Sequence, residues 1–259
     1  MCAATIDPVI EIVCSAMTKS LIALVLAAVC AVGAGCGGSR AAQDVIAAAP
    51  LAMADRTALL QQEYVSVVKS VSPSVVQIRT PQDLGSGIVF DARGDVVTNA
   101  HVVGNATRFV VTLASGDSHP ATAIGRDVAN DLAVIRITGA RPRPATFADS
   151  SKVEVGDLAL ALGNPLGLRS SVTEGIVSAV RRSVPEGDGV TLSSAIQTSA
   201  AINPGNSGGA LVDLSGRVIG IPTLAALDPQ MGAGQAPGIG FAIDSNTVRR
   251  VAGALAHSR

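Results

Sequence analysis

Four kinds of segment follow one another along the chain, told apart by the spacing of their apolar positions. The first is an uncharged apolar run, LIALVLAAVCAVGA from Leu21 to Ala34, preceded by Lys19. It is shorter than the ~20 residues that cross a bilayer comfortably, which predicts a cleaved signal segment rather than a permanent span. The second, GGSRAAQDVIAAAPLAMA over residues 37–54, is small and polar and reads as a tether. In the third, RTALLQQEYVSVVKSV, the apolar residues Leu59, Leu60, Tyr64, Val67, Val68 and Val71 recur at three- to four-residue spacing. That spacing predicts a helix capped by Asp55 and ended by Pro73.

Beyond Pro73 the pattern changes to short apolar runs with turn punctuation. VVQIRT, SGIVF, DVVTNAHVV, RFVVTLA, HPATAIGRD and LAVIRIT read as about six strands, separated by signals such as DARGD, GNAT and ASGD. The segment TGARPRPATFADSSKVEVG then loses the alternation and reads as a connector between two units. A second series follows, DLALALG, VTEGIVSAV, VTLSSAIQT, GALVDLS, RVIGIPTL and GIGFAID, again about six. The expected fold is all-β: two six-stranded antiparallel barrels, about 73–140 and about 155–244, whose closure leaves no exposed edges. A helix precedes them, and a short one over Ser245 to Ala256 follows.

Composition narrows the function. With 48% hydrophobic residues and 2% aromatics the chain suits many short strands better than a helical bundle. A net charge of -1 and the lack of a long Lys/Arg run argue against a nucleic-acid partner. Cys2, Cys14, Cys30 and Cys36 all precede the folded body, which therefore has no thiol for a disulfide or a metal. The three histidines, His101, His119 and His257, lack metal-ligand spacing. No metal and no cofactor is expected.

Residues 1–16 contain Asp7 and Glu11, which suit a signal segment badly, whereas Met17-Thr-Lys-Ser suits one well, so translation is expected to start at Met17. Val32 to Cys36, VGAGC, looks like a bacterial lipobox, with Gly33 where leucine is usual. This likeness implies lipidation of Cys36 and a chain held on the membrane outside the cytoplasm, in a bacterial envelope.

The candidate chemistry lies in TSAAINPGNSGGAL, where Ser207 stands between Asn206 and Gly208 with Gly205 and Gly209 flanking them. Glycines there permit a sharp turn that aims N–H groups at one point, as an oxyanion hole requires; Gly205 and Ser207 are the expected donors. A serine hydroxyl needs a base, and the base a carboxylate that orients it. His101 follows the strand-like GDVVTNA at what would be a barrel rim, while His119 lies in a polar turn and His257 near the chain end. Asp131 heads DLAVIRI; Asp127, four residues earlier, is its rival. GNSGG also matches the nucleophile elbow of α/β-hydrolases, but GGALVDLSGRVIGI reads as a hairpin and not as the helix an elbow needs.

GSGIVFDARGDVVTNAHVV, DLAVIRI, LALGNPLGL, VTEGIVSAV, TSAAINPGNSGGALVDLSGRVIGI and GIGFAID together resemble the protease domain of the HtrA (Deg) family, over roughly Val71 to Val251. The resemblance implies a chymotrypsin-like double barrel and cleavage of peptide bonds in unfolded or exposed segments. It implies His101 as general base, Asp131 as its orienter and Ser207 as nucleophile. Gly205, Asn206 and Ser207 would form the oxyanion loop, and Ile202, Ile221, Pro222 and Thr223 would meet substrate. A homotrimer joined through the N-terminal segment is also implied. The chain departs from the family where Ser199 replaces an aspartate and Pro222 an asparagine, and no PDZ domain fits after Val251. A second reading is a surface-anchored binding or holdase protein on a resting protease scaffold.

Overall fold

The computed structural model describes residues 40–80, 84–164, 171–187, 190–203, 205–228 and 234–258. The apolar run, the Met17 start, the lipobox and Cys36 lie outside the described residues.

Helix α1 spans Arg40–Val71, so Asp55 lies inside it and does not cap it. Its early start has a compositional cause: the segment expected as a tether is rich in alanine, the strongest helix former. Among the described residues, 40–58 and Leu59 onward belong to separate units. A 3-10 turn over Ser72–Ser74 carrying Pro73 ends the helix.

The second unit holds two closed antiparallel barrels. The first is built from β1 (Val75–Arg79), β2 (Leu84–Val89), β3 (Asp95–Thr98), β4 (Arg108–Thr112), β5 (Ser118–Asp127) and β6 (Leu132–Ile137). Around the barrel they follow the order β1-β2-β3-β6-β5-β4, with β1 closing on β4. The second is built from β7 (Leu158–Gly163), β8 (Ser171–Gly187), β9 (Val190–Thr198), β10 (Ala210–Val212), β11 (Val218–Asp228) and β12 (Gly234–Asp244). Its order is β10-β11-β12-β9-β8-β7. One expected strand, DVVTNAHVV, is cut short: β3 ends at Thr98, and Ala100–Val103 forms a single helical turn, α2. Helix α3 (Ser245–His257) follows, capped by Asp244, whose carboxylate accepts the N–H groups of Asn246 and Thr247.

Successive residues of a strand point to opposite faces, and here both faces are often buried. Val76, Ile78, Val96, Phe109, Ile135 and Ile137 fill the first barrel. Ala159, Ala161, Ile196, Leu211 and Ile219 fill the second. Their neighbours Val75, Val97, Leu132, Val134, Leu160, Leu162 and Val212 join a third cluster between the barrels, with Val67 and Val71 of α1 and Val248 and Val251 of α3. Each fully buried Val or Leu contributes about 1.5–3 kcal/mol, so this seam fixes one barrel against the other. Every candidate catalytic residue lies along it.

Candidate active site

The first half of the site comes from the first barrel. His101 sits on α2, immediately after β3, with its side chain half exposed. Asp131, immediately before β6, is 5% exposed and has left-handed backbone angles, φ 47° and ψ 44°. Asp and Asn are the non-glycine residues that tolerate this region best. Hydrogen bonds hold Asp131 there: its carbonyl accepts from the Ala100 N–H and the Asn99 amide, each at 3.1 Å. One carboxylate oxygen accepts the His101 N–H at 3.0 Å; the other lies 2.9 Å from His101 Nδ1 and accepts the Thr223 hydroxyl at 2.7 Å.

Burial pushes the Asp131 carboxyl up, but the bonds and charge of His101 together with the Thr223 hydroxyl outweigh it and hold the group below the usual carboxylate range. An ionised carboxylate only accepts, so Nδ1 of His101 carries the proton and Nε2 is the basic nitrogen. The rival carboxylate is committed elsewhere. Asp127 accepts the Asn130 backbone N–H at 3.1 Å and its side-chain amide at 2.9 Å, capping the turn ahead of Asp131.

The second half comes from the loop that precedes β10. Gly205 has φ +110° and Gly208 φ +79°. A Cβ on Gly208 would lie 2.3 Å from both the Ser86 carbonyl and the Thr98 hydroxyl, so only glycine lets the loop press against the first barrel there. Asn206 donates its N–H to the Asn203 carbonyl at 3.1 Å. Its side chain accepts the Asn203 N–H at 3.1 Å and donates to the Ala201 carbonyl at 3.0 Å. Asn206 therefore braces the loop, with its own N–H committed to Asn203. The N–H groups of Gly205 and Ser207 meet no acceptor among the described residues. The Ser207 hydroxyl donates to the Thr223 carbonyl at 3.0 Å.

The residues expected to meet substrate separate. Ile221 is fully buried in the seam between the barrels, and Ile202, 4% exposed, packs in the second barrel core. Pro222 gives its carbonyl to the Gly208 N–H at 2.9 Å, so it supports the nucleophile loop. Thr223 bridges both halves of the site, hydroxyl to Asp131 and carbonyl to Ser207. Sequence reading missed Asn99 and Ser86, both fully buried polar residues; the signal was a lone serine inside the otherwise apolar GSGIV. No group of three metal-ligating side chains occurs among the described residues.

A histidine and an aspartate from one barrel and a serine from the other, in the chain order His, Asp, Ser, are thus linked through Thr223. The family model of the trypsin-like peptidase domain matches residues 85–221, just over half of the chain. The chain belongs to the trypsin-like peptidase family. Within it, the chain is 49% identical over 170 residues to the periplasmic serine endoprotease DegP of Escherichia coli, covering 65% of this chain and 35% of DegP. It is 40% identical over 213 residues to the serine protease PepD of Mycobacterium tuberculosis, covering 73% of this chain and 45% of PepD. Among solved structures, the HtrA-type protease AlgW with a tripeptide superimposes with a TM-score of 0.68 at 38% identity, covering 75% of this chain and 64% of that one. The chain thus spans less than half the length of these two curated relatives. This trypsin-like peptidase shares its double-barrel architecture with HtrA-type proteases, as its motifs imply.

Proposed function

We propose that this trypsin-like peptidase is a serine endopeptidase of HtrA type, using His101, Asp131 and Ser207. The observation that carries the reading is the double attachment of His101 to Asp131, through its backbone N–H and through Nδ1. It leaves Nε2 as the basic nitrogen, which in this reading serves the Ser207 hydroxyl. In the proposed reaction His101 takes the Ser207 proton as Oγ attacks a peptide carbonyl. Asp131 stabilises the imidazolium, and the N–H groups of Gly205 and Ser207 receive the charge on the carbonyl oxygen. His101 then returns the proton to the leaving amine, and water releases the acyl group by the same route.

Substrate is proposed to be an unfolded or exposed polypeptide. β11 pairs with β10 only as far as Gly220, while its pairing with β12 runs on to Asp228. The other edge beyond Thr223 suits addition of an extended chain as a further strand. Lipidation at Cys36, an extracytoplasmic place on a bacterial membrane and a homotrimer complete the proposal; the lipobox-like VGAGC and the periplasmic relative DegP support the first two. No helix among the described residues is long and apolar enough to cross a membrane.

One observation favours the second reading, a resting or holdase scaffold. A hydroxyl has one proton, and Ser207 gives it to the Thr223 carbonyl, so it must turn before it can serve His101. Both readings are tested by incubating the chain and Ser207→Ala with unfolded casein and with a fluorophosphonate probe. The protease cleaves and labels while the variant does neither. A folded wild-type chain that neither cleaves nor labels would overturn the protease reading in favour of the scaffold.

A further inference from the structure

Ser86 lies in β2 of the first barrel and is fully buried, yet every polar group it owns is engaged. Its carbonyl accepts the Thr98 hydroxyl at 2.7 Å, which ties it to β3. Its other bonds cross to the second barrel. The Ser86 N–H donates to the Ser207 carbonyl at 3.1 Å, its hydroxyl donates to the Gly205 carbonyl, and the same oxygen accepts the Asn164 N–H at 2.8 Å.

The effect falls on one peptide unit. The Gly205 carbonyl is held by Ser86 and the Asn206 N–H by the Asn203 carbonyl, so the plane between them is clamped at both ends. The N–H groups on either side of that plane, those of Gly205 and Ser207, meet no acceptor among the described residues. Releasing the plane lets the Cα atoms of Gly205 and Asn206 shift, and because the flanking planes share those atoms, the aim of both N–H groups shifts with them. A buried hydroxyl removed from this place leaves two backbone groups unpaired, and such groups seek new partners by moving.

We infer that the Ser86 hydroxyl is a positioning residue for the oxyanion hole, acting across the seam between the barrels through the Gly205 carbonyl. The inference rests on the endopeptidase reading, since it assigns Ser86 a part in that reaction. It makes the geometry of the hole a property of both barrels, although both donors belong to the second.

The test compares wild type, Ser86→Ala and Ser245→Ala in the full chain. Ser245 is an equally buried serine whose hydroxyl donates to the Ala148 carbonyl, away from Ser207, so it reports the structural cost of losing such a bond. With a fluorogenic peptide, Ser86→Ala is expected to lower kcat about 10- to 100-fold with KM changed less than threefold. Affinity for a peptide aldehyde, which forms an oxyanion on binding, should fall by the same factor. The midpoint of the acid limb of the pH profile should stay in place, because the His101–Asp131 pair is untouched. Ser245→Ala should lose thermal stability but keep kcat and aldehyde affinity. If Ser86→Ala fails to accumulate, Ser86→Cys, which keeps the volume and a weak donor, is measured in the same way, with a smaller fall expected. An active wild type beside a folded Ser86 variant with unchanged kcat and aldehyde affinity would overturn the inference. An inert wild type would instead overturn the endopeptidase reading.

Discussion

Replacing Thr223 by valine isolates one bond of the site. Valine keeps the side-chain shape and the backbone carbonyl that accepts the Ser207 hydroxyl, and removes only the hydroxyl that donates to Asp131 at 2.7 Å. A hydrogen bond to a buried charged acceptor contributes about 1.5–3 kcal/mol. Asp131, 5% exposed, has no solvent to replace the missing donor. Two donors from His101 remain at 3.0 and 2.9 Å, so the carboxylate stays ionised and the histidine stays oriented. The expected loss in kcat/KM is therefore about tenfold, the equivalent of about 1.4 kcal/mol, and not the collapse that follows loss of the carboxylate. Stability should fall by about 1.5–3 kcal/mol at pH 7. The sign of its pH dependence follows from Asp131, whose carboxyl is depressed in the folded state. Its stabilisation is complete above the ordinary carboxylate range, about pH 4, and is lost as pH falls through the lower folded value. Urea unfolding of both proteins across pH 3 to 8 should show a gap that is full above about pH 5 and closes in acid. Equal midpoints at pH 7 together with unchanged kcat/KM would refute the reasoning.

The two aspartates before β6 should separate cleanly in the same peptide assay. Asp131→Asn is expected to lower kcat on the order of 10³- to 10⁴-fold by disturbing the tautomer of His101, whereas Asp127→Asn should lose about 1 kcal/mol of stability at most and keep its kcat. Comparable losses from both would contradict the assignment of the orienting acid. Gly208→Ala must place a methyl 2.3 Å from the Ser86 carbonyl and hold φ near +79°, so it should cost several kcal/mol, on the order of 3. A melting temperature within about 2 °C of wild type, the equivalent of about 1 kcal/mol or less, would show that the loop does not press on the first barrel.

Much of this fold was legible because strand periodicity survives in short windows. The twelve strands read from apolar runs correspond to the twelve observed, and the order His101, Asp131, Ser207 was visible before any geometry. What failed did so for identifiable reasons. AHVV is a four-residue turn rich in β-branched residues, so it continued the strand pattern of DVVT although Asp131 gathers the N–H groups of Ala100 and His101 into a helical turn. Ile202, in a loop, and Ile221, in β11, are both buried, a covering that a sequence does not reveal. The bond from the Thr223 hydroxyl to Asp131 was equally out of reach of the sequence, since the two residues lie in different barrels. Asp127 and Asp131 were separable only by their partners.

Helix α3 follows the second barrel in the chain but packs on β5 and β6 of the first, with Leu255 seated against Gly125. A chain emerging from the ribosome therefore presents its first barrel, with His101 and Asp131, long before the helix that covers that barrel exists. The seam, to which Val248 and Val251 belong, is therefore completed only once that helix has been made.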